Sequence, residues 1–441
     1  MVLLAAALAL TVGCGNGKQI LRAFDAKNNK LVVLTGDQTK PARFIEDADF
    51  VVVGGSIGGI AAAVTLSGTG RIVVLMEESD HIAGCLMPGD TLAISDNAFV
   101  ENCGTSKSYR LFRDKLREWY EKHSQTPPAP LPGVEPGAFC FTTEAALDVI
   151  KDMLAQYENQ GKLTILLRTK VAKVTMFDRR VASITAIDLD KYETVMVSGW
   201  AFVDASLQGD IFAGAGSPTV AGTESRTSTG EPHAPESADS LGFMKLFTVS
   251  DPAVFGKNVK NGKAVLDVAT AEKPVAGKLY SFSYMTEPRR IADSPFRITE
   301  NDISAESNPG PRTKFFKDSV GVGFHPMSIL GADGSVTVIP TKPFQIPLGA
   351  LTPKNTDNLF AGCLNIGMTH TVYSAFSTSQ TEWAVGEAAG MAASFCGGLK
   401  QSIHAVLGDP ANIRQVQNLM VKRLGTPIYW YDDVKPVDAD F

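Results

Sequence analysis

The chain has 441 residues, of which 44% are hydrophobic and 20% are charged, and its formal net charge is -6. This composition is typical of a soluble globular protein, and the length predicts two or three domains with sizeable cores. The weakly acidic balance, with no run of basic residues, argues against nucleic acid or an anionic membrane surface as a main partner.

The N-terminal segment predicts export. Val2 to Val12 carries no charge and ends at Gly13-Cys14. This run is too short to span a bilayer, which takes about 20 apolar residues, so a signal peptide fits better than a transmembrane helix. A small residue before a cysteine also resembles a lipoprotein signal, with Cys14 as the lipidated residue. We therefore expect a periplasmic or cell-surface protein in which 1–14 is the signal and 15–45 a tether with a small N-terminal element; a buried helix or strand is the alternative for the apolar segment.

The next segment has the pattern of a dinucleotide-binding unit. Phe50 to Val53 is a short apolar run typical of a buried parallel strand, and Gly54-Gly55-Ser56-Ile57-Gly58-Gly59 supplies the turn before an alanine-rich helix. The free N-H groups and positive dipole of such a helix start favour a pyrophosphate. A second strand, Ile72 to Met76, ends at Glu77, about 20 residues after the turn, where a carboxylate accepts hydrogen bonds from a ribose.

One position departs from the glycine pattern. Ser56 replaces the second glycine of G-x-G-x-x-G, and serine is the mildest replacement for it. A tight strand-to-helix connection without any ligand is the alternative interpretation of the turn. The strands on both sides and Glu77 favour nucleotide binding, and the carboxylate argues against a cofactor with a 2'-phosphate.

The six cysteines do not form a recognisable metal or cluster motif. They are far apart in sequence, and none are paired as C-x-x-C. A zinc ribbon or a ferredoxin-type iron-sulfur site therefore has no local support, and we predict no metal site.

Two later blocks repeat the pattern of a strand that ends in small residues. Short alternating apolar runs predict a β-meander, followed by a hydrophobic strand and a Gly-Asp pair at Gly209-Asp210; the runs are Thr164 to Leu167, Val171 to Met176, Val181 to Ile187 and Val195 to Val203. Near the C-terminus, Asn358 to Asn365 is a strand entering a small-residue turn, and a helix is predicted from about Ala375 to Phe395. Further helices are predicted at Leu111 to Tyr120, Glu144 to Tyr157, and from Asp409-Pro410 through Ile413 to Leu424.

The three blocks together resemble the FAD-dependent oxidoreductase family that is distantly similar to the heterodisulfide reductase flavin subunit and to glutathione-reductase-type flavoproteins. Val203 to Phe212 is similar to the family's I-D-A-T-G-D-G-D-L-A, and Glu287 to Ile291 is similar to its E-S-R-R-I. Lys342 to Leu351 and Tyr429 to Val434 resemble an exported bacterial branch. The absence of cysteine clusters argues for flavin without iron-sulfur.

The resemblance implies an α/β fold with a Rossmann-type FAD-binding domain, built from a parallel sheet and a β-meander, and a second mixed α+β substrate domain. The FAD-binding domain would be assembled from 46–110, 160–215 and 341–400, with 111–159 and 216–340 as substrate or cap domain and 401–441 as a C-terminal helical segment. The residues expected to contact FAD are Gly54, Ser56, Gly59, Glu77, Gly84, Val171, Asp210, Gly362 and Asn365.

Three residues are candidates for catalysis. His370 lies just before the helix that should close over the flavin, where it could act as a general base or merely hold the loop or touch the cofactor. Arg289 and Arg290 could clamp an anionic substrate, or one of them could pair with Glu287 or Glu300. His325 is a weaker candidate.

The leading functional hypothesis is an FAD-dependent oxidoreductase that transfers a hydride between flavin N5 and a small organic substrate, with a sugar-derived compound as one option. The electron acceptor is unknown. Two alternatives stay open: a non-catalytic or electron-transfer flavin-binding protein, and an exported carbohydrate-associated protein that has lost FAD.

Overall fold

The computed structural model describes residues 19–83, 91–93, 96, 99–101, 104–128, 139–238, 243–249, 259–260, 263–264, 279–286, 289–310, 312–330 and 336–429. The predicted signal segment with Cys14, the expected FAD contact Gly84 and the proposed arginine partner Glu287 lie outside the described residues.

The described residues form the following strands and helices. In order, the strands are β1 (Ile20–Asp25), β2 (Lys30–Thr35), β3 (Arg43–Ile45), β4 (Phe50–Val53), β5 (Val73–Met76), β6 (Thr91–Ala93), β7 (Cys140–Thr142), β8 (Leu163–Leu166), β9 (Thr169–Phe177), β10 (Arg180–Asp188), β11 (Glu193–Ser198), β12 (Ala201–Asp204), β13 (Thr219–Val220), β14 (Phe243–Val249), β15 (Val259–Lys260), β16 (Lys263–Ala264), β17 (Leu279–Thr286), β18 (Arg290–Ile291), β19 (Ser319–Gly323), β20 (Met327–Leu330), β21 (Val336–Ile339), β22 (Phe344–Pro347) and β23 (Leu359–Ala361). The helices are α1 (Ile57–Gly68), α2 (Lys107–Lys122), α3 (Thr143–Asn159), α4 (Asp210–Gly214), α5 (Arg226–Thr229), α6 (Glu300–Ile303), α7 (His370–Phe376), α8 (Ser379–Leu399), α9 (Ile403–Leu407) and α10 (Pro410–Leu419). Single tighter turns lie at Gly36–Thr39 and Leu348–Ala350, and a wider turn at Met420–Leu424 continues α10.

A five-stranded parallel sheet forms the centre of the fold, with strand order β23-β12-β4-β5-β8. Every residue of β4, β5, β12 and β23 is buried, as expected for a parallel sheet that is covered on both faces. The carboxyl ends of these strands meet at one edge, which is where open α/β sheets bind their ligands. The α/β fold class with a Rossmann-type unit is therefore confirmed.

A second sheet of order β3-β11-β10-β9 contains the predicted meander, in which β9, β10 and β11 are antiparallel neighbours. The predicted strand Val195 to Val203 is in fact two strands in different sheets. The chain leaves the meander after Ser198, and Trp200 N-H donates to Asp49 O at 2.8 Å before β12 joins the parallel sheet. Ser198-Gly199 interrupts the apolar run at the point where the chain changes sheets.

Within the segment expected to be a tether with a small N-terminal element, a hairpin packs on the meander. β1 and β2 form a hairpin whose inner face packs against three meander residues, Ala172, Ile187 and Leu189. Arg168 donates two hydrogen bonds to the buried Asp25 carboxylate, at 2.9 and 2.7 Å. The hydrogen bonds from Arg168 hold the pKa of Asp25 well below its usual range.

Most predicted helices are confirmed, and one is divided. α2 and α3 contain the segments predicted as helices, and α10 begins with Pro410 after Asp409, whose side chain accepts from Ala411 N at 2.8 Å. The helix predicted from about Ala375 is two helices, α7 and α8, because Thr378 adopts an extended backbone between them. No helix within the described residues is both long and apolar enough to cross a membrane.

Candidate functional site

The turn between β4 and α1 has the backbone of a dinucleotide cradle. Ser56 is the N-cap of α1, and its Oγ accepts from Gly59 N at 3.2 Å. The serine that departs from the glycine pattern therefore satisfies a helix-end donor. Gly54 has φ +100°, and a side chain there would lie 2.3 Å from Ala205 O. This turn is possible only with glycine at that position.

Three glycines bring the first and last blocks of the chain into backbone contact. A Cβ on Gly58 would lie 1.9 Å from Gly362 O, and a Cβ on Gly386 would lie 1.9 Å from Gly58 O. α1 therefore crosses α8 and meets the end of β23 at van der Waals distance between main chains. The expected cofactor residue Gly362 lies at this junction, where its N-H donates to Asp204 O at 2.8 Å.

Glu77 lies at the carboxyl end of β5 and faces the same turn. Its Oε2 accepts from Gly55 N at 2.6 Å and its Oε1 accepts from Ser79 N at 2.8 Å. A carboxylate has about four acceptor positions, so each oxygen can still accept one hydroxyl of a ribose. The geometry fits the expected role of Glu77.

Asn365, one of the expected FAD contacts, links the loop after β12 to the loop after β23. Its side-chain N-H groups donate to Asp204 O at 2.9 Å and to Ser206 O at 3.4 Å, and its side-chain oxygen lies 3.4 Å from Cys363 N. Asn365 is fully buried. Its amide therefore fixes the β12 and β23 loops against each other, whatever it also contacts.

The expected contacts Val171 and Asp210 lie beside a lysine that carries much of the local positive charge. Lys170 Nζ is 2.7 Å from Asp210 Oδ2 and also pairs with Glu78. Burial alone would lower the pKa of Lys170, but the charges of Asp210 and Glu78 raise it well above its usual range. Val171 follows Lys170 in β9 and is half-buried. Lys170 thus offsets part of the negative charge at the sheet edge.

Asp204 is a fully buried carboxyl at the end of β12. Its Oδ1 accepts from Ser206 N and Oγ, and its Oδ2 accepts from Ile211 N and Phe212 N, so it caps α4. Burial and the neighbouring Asp210 raise the pKa of Asp204 to about 7. Asp204 is therefore expected to titrate near neutral pH in the folded protein.

This titration predicts a pH dependence of stability. Because the pKa of Asp204 is higher in the folded protein than its unfolded value of 3.8, its contribution to the free energy of unfolding falls as pH rises toward about 7. The loss between about pH 5 and about pH 8 is expected to be on the order of 2 kcal/mol, and Asp204→Asn should remove it. Urea unfolding of both proteins at the two pH values measures the difference, and an equal change in both proteins would contradict the assignment.

A second cluster lies on the substrate side, around Glu224. Its Oε2 lies 2.9 Å from His370 Nδ1 and accepts from His370 N at 3.0 Å and from Arg290 Nη2 at 3.0 Å, while its Oε1 pairs with Arg297. Arg290 is 0% exposed and also donates to Gly222 O at 2.7 Å. Arg290 therefore pairs with Glu224 inside the protein.

The cluster favours one tautomer of the His370 ring. Burial would raise the pKa of Glu224, but the hydrogen bond from His370 and the charges of Arg290 and Arg297 lower it to about 2. The ionised carboxylate of Glu224 favours the tautomer that carries the proton on His370 Nδ1. The backbone N-H of Glu224, whose nitrogen lies 3.1 Å from Nδ1, competes by favouring a lone pair on that atom. Nε2 then carries the lone pair, and it is buried without a hydrogen-bond partner among the described residues.

Glu231 holds the loop that carries His370. Its Oε1 accepts from Thr369 Oγ1 at 2.6 Å, from Thr371 Oγ1 and from Glu300 N at 2.7 Å. Glu231 is fully buried, and its Oε2 has no hydrogen-bond partner among the described residues. Both residues beside His370 are therefore tied to one carboxylate.

The other two basic candidates have different surroundings. Arg289 is half-buried, its N-H donates to Leu207 O at 3.1 Å, and its Cβ lies next to Gly209, so it flanks the loop between β12 and α4. No ion pair of its guanidinium is formed with the residues that the structure describes. The ring of His325 is engaged elsewhere, with its Nδ1 at 2.9 Å from Pro326 O.

Several residues of the site were not predicted from the sequence. Glu224 and Glu231 lie in the Ser-, Thr-, Pro- and Glu-rich stretch that resembles a loop, and Arg297 has no motif around it. Only their contacts with His370 and its loop single them out. Within the described residues, no group of three or more His, Cys, Asp or Glu side chains could hold a metal ion, and Cys140, Cys363 and Cys396 are buried.

Comparison with known proteins agrees with this cofactor geometry. The sequence profile of the family described as FAD dependent oxidoreductase matches residues 49–263 and 264–420. No curated protein sequence matches the chain.

Solved structures are similar only at the level of the fold. Quinol fumarate reductase of E. coli is 12% identical over 86% of this chain and 74% of that chain, with a TM-score of 0.37. The myxobacterial chondrochloren halogenase is 12% identical over 86% of this chain and 80% of that chain, with a TM-score of 0.35. The alignment with an adenosine-5-phosphosulfate reductase, 16% identical with a TM-score of 0.25, covers 37% of this chain and only 31% of that chain. Similarity this low carries no information on substrate or reaction.

Proposed function

Because this chain belongs to the FAD dependent oxidoreductase family and has FAD as its cofactor, we propose that it oxidises a small organic substrate by hydride transfer to flavin N5. The cradle formed by Gly54, Ser56, Gly59 and Glu77 would hold the adenosine and diphosphate parts of FAD. Bound flavin supplies the hydride acceptor, and the protein supplies binding, orientation and proton handling.

The observation that carries the proposal is the His370-Glu224 pair. A carbinol that loses a hydride must also lose its hydroxyl proton, and a base within hydrogen-bond reach accelerates that loss. His370 Nε2 is a buried acceptor, and Glu224 lies on the opposite ring nitrogen. Ionised Glu224 stabilises the imidazolium that forms when Nε2 takes the proton, as the carboxylate does in other histidine-acid pairs.

The arginines have separate roles in this proposal. Arg290 and Arg297 keep Glu224 ionised and in place, so they act through Glu224. Arg289, beside the loop of residues 206–209, is the cation that remains for the substrate or the flavin. We propose a neutral or singly anionic substrate with an oxidisable hydroxyl, of which sugar-derived compounds are one class.

Replacing His370 with glutamine is expected to slow flavin reduction about 100-fold or more while FAD remains bound. The measurement is anaerobic loss of visible flavin absorbance after mixing with sugars, alditols and simple alcohols. His325→Gln is the matched control, and it should reduce at the rate of the unaltered protein because the ring of His325 hydrogen-bonds to Pro326 O and not to the His370-Glu224 pair.

Two results would redirect the assignment. A substrate that bleaches the flavin equally fast in His370→Gln would exclude His370 as the base. A yellow protein that no organic substrate reduces, but that exchanges electrons with a redox mediator, would favour the electron-transfer alternative.

We also propose that the protein is exported and held at a membrane through Cys14. The support is the apolar run Val2 to Val12 followed by Gly13-Cys14. Expression in a bacterium should place the protein in the membrane fraction, and Cys14→Ser should release it or leave it as an unprocessed precursor; an unaltered distribution would overturn the anchor.

A further inference from the structure

A buried glutamate lies at the start of α1 where the diphosphate of FAD is expected. Glu382 belongs to the first turn of α8 and is 6% exposed. Its Oε1 accepts from Gly58 N at 3.3 Å, and the Ser56 hydroxyl is the other polar group at its carboxyl. The glycine turn therefore already has an internal acceptor at its helix end.

The helix crossing fixes this contact. Gly386 packs directly on the Gly58 carbonyl, and Glu382 lies one turn earlier on the same face of α8. Because the two helices touch through main-chain atoms, Glu382 cannot withdraw far without moving α8. Its carboxyl stays close to any ligand that binds the first-turn N-H groups of α1.

Two further donors of the turn are also engaged. Gly55 N donates to Glu77 and Gly59 N to Ser56. A diphosphate that approaches the start of α1 must share these N-H donors with the glutamate and serine side chains. If Glu382 is ionised, the positive end of the helix dipole then faces two neighbouring anions, the diphosphate and the Glu382 carboxylate. Like charges close together in a buried site disfavour one another.

The charged groups on the elements that pack around the glycine turn and α8 are mostly acidic. Glu77 and Glu78 follow β5, Asp204 and Asp210 lie at the end of β12 and the start of α4, Asp96 faces Gln380, and Glu387 lies further along α8; Lys170 pairs with Glu78 and Asp210. None of the cations that the structure describes forms an ion pair with Glu382. Burial raises the pKa of Glu382.

We propose that Glu382 sets the affinity and pH dependence of FAD binding, because its ionised carboxylate opposes the cofactor diphosphate at the start of α1. FAD then binds most tightly to the form in which Glu382 carries a proton, and binding to the ionised form takes up a proton from solvent. This role depends on FAD as cofactor and not on the hydride substrate or on His370.

The test measures the affinity of the full-length chain for FAD after bound flavin has been removed. Binding is monitored through the quenching of FAD fluorescence at about pH 6 and about pH 8.5. We expect the unaltered protein to bind FAD about tenfold more weakly at the higher pH. Glu382→Gln keeps the shape and an oxygen acceptor for Gly58 N, and it should bind FAD about tenfold more tightly than the unaltered protein at the higher pH, with little change between the two.

Two controls separate other sources of the pH effect. Asp204→Asn should retain the pH dependence of FAD binding if Glu382 causes it, although Asp204 also titrates near neutral pH. Glu77→Gln should weaken FAD binding at both pH values, because Glu77 faces the ribose position. Loss of the pH dependence in Asp204→Asn but not in Glu382→Gln would overturn the proposal.

Calorimetry of the unaltered protein keeps the test independent of the variants. FAD binding at about pH 8 in two buffers of different ionisation enthalpy reports the number of protons taken up, and we expect a positive number. Binding of FAD without proton uptake would overturn the role of Glu382, even if Glu382→Gln failed to fold. Failure of the unaltered protein to bind FAD at any pH would overturn both the role of Glu382 and the cofactor assignment.

Discussion

Replacing Gly386 with alanine is expected to lower the free energy of unfolding by about 3 kcal/mol and to prevent stoichiometric FAD binding. The added Cβ would lie 1.9 Å from Gly58 O and 2.6 Å from Gly58 C, both of which are main-chain atoms. No side chain can rotate away, so α8 or the turn that holds the diphosphate must move. Urea unfolding measures the first effect, and flavin released from the purified protein measures the second.

The same helix offers a control for this prediction. A Cβ on Gly398 would enter open space with no neighbouring atom within 4 Å, and this glycine is exposed near the C-terminal end of α8. Gly398→Ala should leave FAD binding unchanged and raise the free energy of unfolding by up to about 0.5 kcal/mol, since alanine is the better helix former. Equal stability of the two variants would show that the crossing of α1 and α8 is looser than the structure indicates.

Replacing Glu224 with alanine is expected to lower the free energy of unfolding by about 3 to 5 kcal/mol and to abolish flavin reduction. Arg290 is fully buried, and removal of Glu224 takes away the carboxylate that pairs with its charge. His370 also loses the group that orients its ring. Thermal and urea unfolding measure the stability, and anaerobic bleaching measures the reaction.

The fall of the free energy of unfolding at acid pH provides a second measurement for Glu224. Because the pKa of Glu224 is about 2 in the folded protein and 4.5 unperturbed, its stabilising contribution is present above about pH 5 and is lost as pH falls toward about 2. Glu224→Gln should lack this part of the acid dependence. Asp293→Ala, which breaks an exposed pair with Lys354, should change neither stability nor acid dependence measurably. A similar effect of both substitutions would contradict the cluster.

The sequence predicted the cofactor half of this protein well because local patterns specify it. The run Phe50 to Val53, the glycine turn and Glu77 lie within one strand-helix-strand unit, so spacing alone brings the carboxylate to the turn. Ser56 is also understandable locally, since a serine at a helix start caps it. The family resemblance added the two distant blocks, and the parallel pairing of β12 with β4 and β23 agrees with it.

The substrate half depended on contacts that no local pattern encodes. Arg290, Glu224 and His370 are far apart in sequence, and only the packing of β13 and β18 beside the loop after β23 brings them together. The sequence left open whether Arg290 clamps a substrate or pairs with a glutamate, and in the structure it is buried and pairs with Glu224. A carboxylate in a polar stretch becomes a functional candidate only when the fold removes it from water and surrounds it with cations.

The amino-acid sequence by itself thus determined the dinucleotide unit, the class of cofactor and the alternation of strands and helices, because these follow from short-range spacing and hydrophobic period. Only the tertiary structure decided where β11 ends and β12 begins, that residues 20–35 dock on the meander, and that Glu382 faces the start of α1. Each of these features depends on which buried surfaces pack against each other. The free energy gained by burying apolar surface comes from contacts between segments that are distant in the chain.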